Sequence, residues 1–144
     1  MISGYFPGEA PPHPYVDVAV RIGELSIEWV LVPFVVDTGA AKTSIHALDA
    51  IRRLGMSPAD LDPSKWASSI QGTGVGGAVR YRTAAAEYGF HHDDGRWELV
   101  DGEVQIGELA SHNQGIPSLL GWDLLQHFRL VTHGRDRTIV LERL

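Results

Sequence analysis

The chain has 144 residues, of which 44% are hydrophobic and 21% charged, a balance typical of one soluble globular domain with its own core. Its formal net charge of −6 at pH 7 excludes a strongly basic surface and argues against nucleic acid as the main partner. It has no cysteine, which excludes disulfides, thiolate metal sites and a thiol nucleophile.

The first residues lack the features of a targeting segment. No basic start precedes an apolar run, and no window contains the ~18–20 apolar residues of a membrane span. We therefore expect a cytoplasmic protein with no membrane partner. Residues 1–14 contain four prolines and are expected to form an extended arm rather than a packed element, ahead of a domain that covers residues 15–144.

Two strands are predicted at the start of the domain. Residues 16–22 alternate between β-branched and polar or small side chains, the period-2 pattern of a half-buried strand. A more hydrophobic run over residues 25–36 follows a short turn at Gly23. Two such runs around a short turn predict a β-hairpin.

The rest of the pattern indicates short strands and two short helices. One helix is expected over residues 47–54 and ended by Gly55, and another over residues 122–127. Asp93-Asp94-Gly95 is the strongest turn signal. Further strands are predicted over residues 41–45, 78–88, 97–100, 104–106, 128–131 and 138–141. The pattern predicts an all-β, closed barrel-like domain with two short helices.

The most informative segment follows the second strand. Asp37 comes after the apolar run 30–36 and is followed by Thr38, Gly39 and Ala40. Burying an ionised carboxylate without a partner is costly, and a second carboxylate that shares a proton with Asp37 would compensate it and form a catalyst. Gly39 leaves its N–H free to reach the Asp37 carboxylate, and the Thr38 hydroxyl can hold the loop.

Two further segments stand out. The glycine-rich residues 72–77 lack the Lys-Ser/Thr of a P-loop and precede no helical pattern, so they fit neither phosphate nor dinucleotide binding. Between strand-like flanks they predict a hairpin tip with Val75 at its point, and an ordinary glycine turn is the alternative. Residues 116–125 place two leucines and Gly121 directly before the second helix, which by itself predicts only a strand-to-helix junction.

In this order, the three segments resemble the retropepsin-like aspartic proteases, and most closely the small bacterial single-domain members. That family has an Asp-Thr/Ser-Gly-Ala catalytic loop, a glycine-rich flap and an apolar-apolar-Gly segment before a C-terminal helix. The resemblance covers roughly residues 15–144 and includes the Leu54-Gly55 pair at a helix end. It implies a homodimer, because the chain has a single Asp-Thr-Gly and such proteases obtain the second aspartate by dimerising.

The resemblance also implies roles for individual residues. The protein would be an aspartic endopeptidase that takes peptide or protein substrates and needs no metal or other cofactor. The catalytic residues would be Asp37, Thr38 and Gly39, with the Asp37 carboxyls of two copies sharing one proton. The substrate-binding residues would be Ala40, Gly74, Val75, Gly76 and Gly77.

Two positions depart from the retroviral pattern, in which an acidic residue and an arginine form an ion pair beside the catalytic loop. The matching residues here are Ala41 and Trp122, so we predict an apolar contact in place of that pair. An ion pair between Lys42 and Asp123 is a further prediction nearby.

Other interpretations are weaker. A dimeric module of the same fold could bind peptides without turnover, and a monomeric β-barrel could bind a ligand if Asp37 were satisfied within one chain. His91 and His92 resemble metal ligands, but neighbours on a strand face opposite sides, which favours a solvated hairpin tip. Ser44 near His46 lacks the glycine elbow of a serine nucleophile. Three tryptophans are expected as core or dimer contacts: Trp29, Trp66 and Trp97.

Overall fold

A computed structural model describes residues 1–8, 13–74, 77–113 and 115–144. The strands are β1 (Ile2–Ser3), β2 (Tyr15–Ile22), β3 (Ile27–Val36), β4 (Ser44–Ile45), β5 (Ile70–Gly74), β6 (Gly77–His91), β7 (Trp97–Gly107), β8 (Leu119–Leu120), β9 (Phe128–His133) and β10 (Thr138–Arg143). The α-helices are α1 (Ala47–Arg52) and α2 (Trp122–Leu125), and single 3₁₀ turns span Gly23–Leu25, Pro58–Leu61, Pro63–Lys65 and Ser111–Asn113. The fold is therefore mostly β with two short helices.

The predicted hairpin of β2 and β3 is confirmed. The two strands are antiparallel, with Val18 opposite Val32, and a bulge interrupts the register just before the turn. Valine and isoleucine side chains on the inner face are fully buried, which explains why the sequence alternates so clearly. The hairpin turn contains Ser26 at a φ of 57°, in the left-handed region.

Seven strands form one sheet in the order β2-β3-β8-β4-β7-β6-β5, and β2 also pairs with β6. The pairs β3–β8 and β4–β7 are parallel, whereas β4–β8 is antiparallel. The two-residue strand β8 thus lies between the end of β3 and the start of β4. This arrangement brings the segment after β3 next to the segment after β8.

The predicted helices and turns are present, with different lengths. Helix α1 begins as expected and ends two residues early, and Gly55 has the left-handed φ of +74° expected at a helix end. The turn between β6 and β7 contains Gly95 at a φ of +91°. Strand β7 is continuous where two short strands were predicted. None of the helices among the described residues is long and apolar enough to cross a membrane.

The first residues pack against the domain, contrary to the expectation of an unpacked arm. Strand β1 pairs with β10 and places Ile2 opposite Leu141, and Ile2 is only 2% exposed. The Gly4 N–H continues the pairing with β10 by donating to the Ile139 carbonyl at 2.9 Å. Gly4 also packs closely against β2, because a Cβ there would lie 2.3 Å from the Tyr15 carbonyl oxygen. Burial of an isoleucine side chain contributes about 1.5–3 kcal/mol, which offsets much of the entropy lost when a two-residue strand is ordered.

A group of polar residues fastens β1 to the β6–β7 turn, and we call it the terminal corner: Ser3, His92, Asp93, Glu98 and Arg143. The Ser3 N–H and hydroxyl donate to the two oxygens of Asp93 at 3.2 and 2.8 Å. His92 Nε2 lies 3.0 Å from Glu98, whose other oxygen lies 2.8 Å from Arg143 Nε.

The core lies between the seven-stranded sheet and the β1-β10-β9 sheet and contains apolar residues from nearly every element. The tryptophans were predicted as core or dimer contacts; a place in the core is wrong, and a place at a dimer interface stays a prediction. Trp29 and Trp97 are 42% and 53% exposed, and Trp66 is half-buried, with its indole N–H donating to the Asp60 carbonyl.

Candidate active site

The site begins where β3 ends. Strand β8 holds this end, because the Val35 N–H donates to the Ser118 carbonyl at 2.9 Å and the Asp37 N–H donates to the Leu120 carbonyl at 3.1 Å. The chain then turns at once, since the Ala40 N–H donates to the Asp37 carbonyl at 3.2 Å. Asp37 is therefore the first residue of a tight loop between two strands.

The Asp37 carboxylate is oriented by its own loop. Its Oδ1 accepts a hydrogen bond from the Gly39 N–H at 2.8 Å, which is the contact expected from the sequence. A Cβ on Gly39 would lie 3.1 Å from that oxygen, so glycine leaves the carboxylate room. Among the residues that the structure describes, no ion pair includes Asp37.

The loop faces solvent in the single chain. Asp37 is half-buried rather than buried, and Thr38 and Gly39 are exposed. The strand before the loop is buried at its last three residues, Phe34 to Val36, whereas Leu31 is 51% exposed, so the prediction of a buried strand is confirmed only near the loop. The carboxylate is thus fixed in direction and open on one side.

Helix α2 supports the loop through hydrogen bonds to the backbone carbonyls of the loop. The Trp122 indole N–H donates to the Thr38 carbonyl at 2.6 Å, and the Trp122 backbone N–H donates to the Ala40 carbonyl at 2.9 Å. The Asp123 N–H donates to the Ala41 carbonyl at 3.1 Å. Trp122 therefore contacts the loop through hydrogen bonds to backbone carbonyls, and not through the apolar contact with Ala41 that the sequence predicted.

Asp123 binds Thr43 and not Lys42, so the predicted ion pair is wrong. The Thr43 N–H and hydroxyl donate to the two Asp123 oxygens at 3.0 and 2.7 Å. The Thr43 hydroxyl oxygen also accepts the Gly121 N–H at 3.1 Å. Lys42 lies in the bend before β4 and is exposed, whereas Thr43 is completely buried.

Gly121 is required by a close backbone approach. A Cβ at this position would lie 2.6 Å from the carbonyl carbon and oxygen of Lys42 and 2.9 Å from its backbone nitrogen. We call Thr43, Gly121, Trp122 and Asp123 the loop support. Together these residues join α2, β8 and the start of β4 directly beneath Asp37.

A second network of hydrogen bonds, which the sequence did not predict, connects α1 to the start of β8. The buried Ser118 donates its hydroxyl to Asp49 at 2.6 Å and accepts the His46 N–H at 3.0 Å, which ties α1 to the start of β8. His46 Nδ1 accepts the Leu48 N–H at 3.3 Å and caps α1. This capping role accounts for the position of His46 close to Ser44 in sequence.

The glycine-rich segment forms a hairpin, as predicted. Strands β5 and β6 are antiparallel, with Gly72 opposite Val79 and Gly74 opposite Gly77. The two remaining proposed flap residues, Val75 and Gly76, lie outside the described residues. A Cβ on Gly72 would lie 2.9 Å from the ring of Tyr81, so this glycine packs flat against the tyrosine, whose burial raises the pKa of its hydroxyl.

The two adjacent histidines do not share a site. His92 is buried beside Glu98, whereas His91 is exposed and packs its ring 4.7 Å from that of Trp97. His91 is the last residue of β6 and His92 follows it directly, and the two side chains point to opposite sides of the extended chain. Within residues 1–8, 13–74, 77–113 and 115–144, no cluster of three or more His, Asp or Glu side chains is arranged to hold a metal ion.

Known structures identify the fold. The chain is similar to the crystal structure of a retropepsin-like aspartic protease from Rickettsia conorii, with a TM-score of 0.55 and 17% sequence identity over 97% of this chain and 88% of that chain. It also matches EIAV protease complexed with the inhibitor HBY-793, with a TM-score of 0.45 and 19% identity over 79% of this chain and 86% of that one. No protein-family model and no curated protein sequence matches the chain. The chain has a retropepsin-like fold.

Proposed function

We propose that this protein is an aspartic endopeptidase that acts as a homodimer, with a water molecule activated between the Asp37 carboxyls of its two copies. The observation that carries the proposal is the Asp37 carboxylate, which Gly39 orients at 2.8 Å on an open loop of a retropepsin-like fold. The proposed catalytic domain covers residues 15–144, and we infer that the pairing of β2 with β6 closes its sheet into a barrel.

The proposed chemistry needs two carboxyls in different protonation states. Two carboxyls a few ångström apart do not both ionise, so the pair holds one proton between them. The ionised member accepts a proton from water, and the oxygen of that water forms a bond to the peptide carbonyl carbon. The protonated member donates a hydrogen bond to the carbonyl oxygen. When the C–N bond breaks, a proton passes to the leaving amine.

The exposure of the loop supports a dimer. A single copy leaves Asp37 half-buried and its neighbours in contact with solvent, although β8 and α2 form hydrogen bonds to the backbone of the loop. A second copy across a two-fold axis would cover this surface and supply the other carboxyl. In that arrangement Thr38 would hold the two loops together through its hydroxyl.

The substrate would lie between the loop and the flap. Ala40 follows the catalytic loop, and Gly74 and Gly77 close the hairpin on either side of Val75 and Gly76. Backbone N–H and C=O groups at glycines are accessible to an extended peptide because no side chain shields them. We propose these five residues as the substrate-binding positions.

The Asp37→Asn variant tests the proposed catalyst. We expect it to lose at least ~10³-fold of the cleavage rate on a mixed peptide library between pH 3 and 7, because asparagine neither accepts the proton from water nor returns it. The control is Asp136→Asn, which removes an exposed carboxylate in the β9–β10 turn. Equal cleavage by wild type and Asp37→Asn would refute the role of Asp37.

The oligomeric state tests the second half of the proposal. Sedimentation equilibrium at tens of micromolar should show a dimer, and the activity per chain should fall on dilution below the dissociation constant. A strictly monomeric protein with undiminished activity would contradict the shared site. A dimer that binds peptides but never cleaves them would instead identify a scaffold module of the same fold.

A further inference from the structure

An exposed apolar surface lies on the outer face of the sheet, and we call it the indole patch: Trp29 and Leu31 of β3, and Trp97 and Leu99 of β7. Their exposed fractions are 42%, 51%, 53% and 62%. Surface hydrophobic residues scattered singly are ordinary, whereas a contiguous apolar patch marks an interaction site. The question is therefore whether the four side chains are contiguous.

Strand register places the four side chains on one face. Leu31 is opposite Ala19 of β2, Ala19 is opposite Gly89 of β6, and Gly89 is opposite Leu99 of β7. The two leucines thus end one row across four strands, and only two small residues lie between them. Trp29 and Trp97 are each two positions away on the same strands, so they share that face.

The two indoles converge over Gly89. A Cβ on Gly89 would lie 3.5 Å from Trp29 Cζ3, 3.3 Å from Trp97 Cε3 and 3.4 Å from the Ala19 Cβ. The rings therefore cover the small residues from both sides, and Ala19 is buried as a result. The indole patch is one continuous surface.

Carboxylates border the patch on the same face. Asp17 lies beside Ala19 on β2, Glu87 beside Gly89 on β6, and Asp101 and Glu103 continue β7 beyond Leu99. Arg21 lies among them, but its charge is engaged by Glu28 at 3.4 Å and Glu87 at 3.2 Å. The border is acidic, in line with the net charge of −6.

We propose that the indole patch binds a protein segment whose apolar side chains are flanked by lysine or arginine. A second copy of the patch would place acidic border against acidic border, and an anionic membrane or nucleic acid would meet the same repulsion. A basic segment instead gains both apolar burial and charge attraction. At ~3.3 Å per residue along β3, Leu31 lies about 20 Å and Trp29 about 26 Å from Asp37, so the proposal does not rest on catalysis.

A synthetic peptide of about twelve residues is the probe, with leucine alternating with serine in its centre and two arginines at each end. Alternation places all leucines on one side of an extended chain, and the terminal arginines can reach the acidic border of the patch. A peptide with glutamate in place of arginine is its control. We expect the basic peptide to bind and the glutamate peptide not to bind. Binding should shift the indole N–H resonances of Trp29 and Trp97, and added salt should dissociate the complex.

Matched variants locate the binding. Asp101→Lys should weaken binding of the basic peptide about tenfold, and Leu31→Ser with Leu99→Ser should do at least as much. The control Asp136→Lys makes the same charge change in the β9–β10 turn and should change the affinity less than about twofold. Unfolding in urea confirms that each variant is folded.

Three results would overturn the proposal. Equal weakening by Asp101→Lys and Asp136→Lys would show non-specific attraction to an acidic protein. Self-association that Leu99→Ser abolishes would identify a second copy as the occupant. Binding of vesicles of anionic lipid to the wild type, lost in Leu31→Ser with Leu99→Ser, would identify a membrane.

Discussion

The loop support and the terminal corner each depend on one aspartate that binds a hydroxyl residue in the same way. Asp123 accepts the N–H and hydroxyl of Thr43 at 3.0 and 2.7 Å, and Asp93 accepts the N–H and hydroxyl of Ser3 at 3.2 and 2.8 Å. Thr43 is completely buried, whereas Ser3 is exposed. The geometry of the bonds is shared, so the environment decides what each is worth.

Water explains the difference. If the bonds at the terminal corner open, solvent replaces them at once, and their net contribution is small. If those in the loop support open, buried donors are left without partners, which costs the full desolvation of each group. Hydrogen bonds of the same geometry therefore contribute little at the exposed terminal corner and are required for stability in the buried loop support.

The largest effect is expected from Gly121→Ala. The new methyl group would lie 2.6 Å from the carbonyl carbon and oxygen of Lys42, and backbone atoms cannot move aside as the end of a flexible side chain can. We expect the free energy of unfolding to fall by about 3 kcal/mol, measured by urea denaturation. Gly23→Ala is the control, since nothing lies within 4 Å of its Cβ position, and an equal loss there would show that the close approach is irrelevant.

Thr43→Val should have the next largest effect. Valine keeps the shape of threonine but removes the hydroxyl that donates to Asp123 and accepts the Gly121 N–H. We expect a loss of about 1–3 kcal/mol in urea denaturation, because the Gly121 N–H stays buried without an acceptor. A loss below that of the exposed Thr138→Val would contradict the buried network.

Ser3→Ala makes the matched change at the terminal corner. It removes one hydrogen bond to Asp93 and leaves the Ser3 N–H bond in place. We expect less than about 1 kcal/mol, because water satisfies the exposed carboxylate. If Ser3→Ala and Thr43→Val destabilised the protein equally, burial would not be the deciding variable.

Arg96→Leu should alter a pKa with little effect on stability. The Arg96 side chain and N–H donate to Asp94 at the β6–β7 turn and lower its carboxyl pKa from the ordinary value of 3.8. The pKa of Asp94 is lower in the folded than in the unfolded state. The small stabilisation that ionised Asp94 gives the fold is therefore present above pH ~3.8 and is lost as pH falls through the folded-state pKa. Carboxyl NMR titration should show the Asp94 pKa rising in Arg96→Leu, and an unchanged pKa would contradict this cause.

The sequence predicted those parts of the fold that local patterns control. Alternation located β2, and a more hydrophobic run located β3. A glycine after a short helix located the left-handed Gly55, and Asp93-Asp94-Gly95 located a turn. It also predicted the Gly39 hydrogen bond to Asp37, because only two residues separate the partners. These features depend on neighbours along the chain.

Contacts between distant residues were missed or assigned wrongly. Charge favours Lys42 as the partner of Asp123, but the fold leaves Lys42 exposed in a bend and brings the buried Thr43 to Asp123 from 80 positions along the chain. Strand β1 is two residues long in a proline-rich context, and only its pairing with β10 makes it a strand. Such contacts depend on tertiary packing, which no local period encodes.

The parallel pairing of β3 with β8 also has a kinetic consequence. It joins Val35 to Leu119, so the loop at Asp37 cannot be completed until residues near the end of the chain have folded beneath it. Closing so long a stretch of chain costs entropy before any contact repays it, which makes this one of the slow steps of folding. A partly synthesised chain that ends before β8 would therefore lack an ordered Asp37 loop.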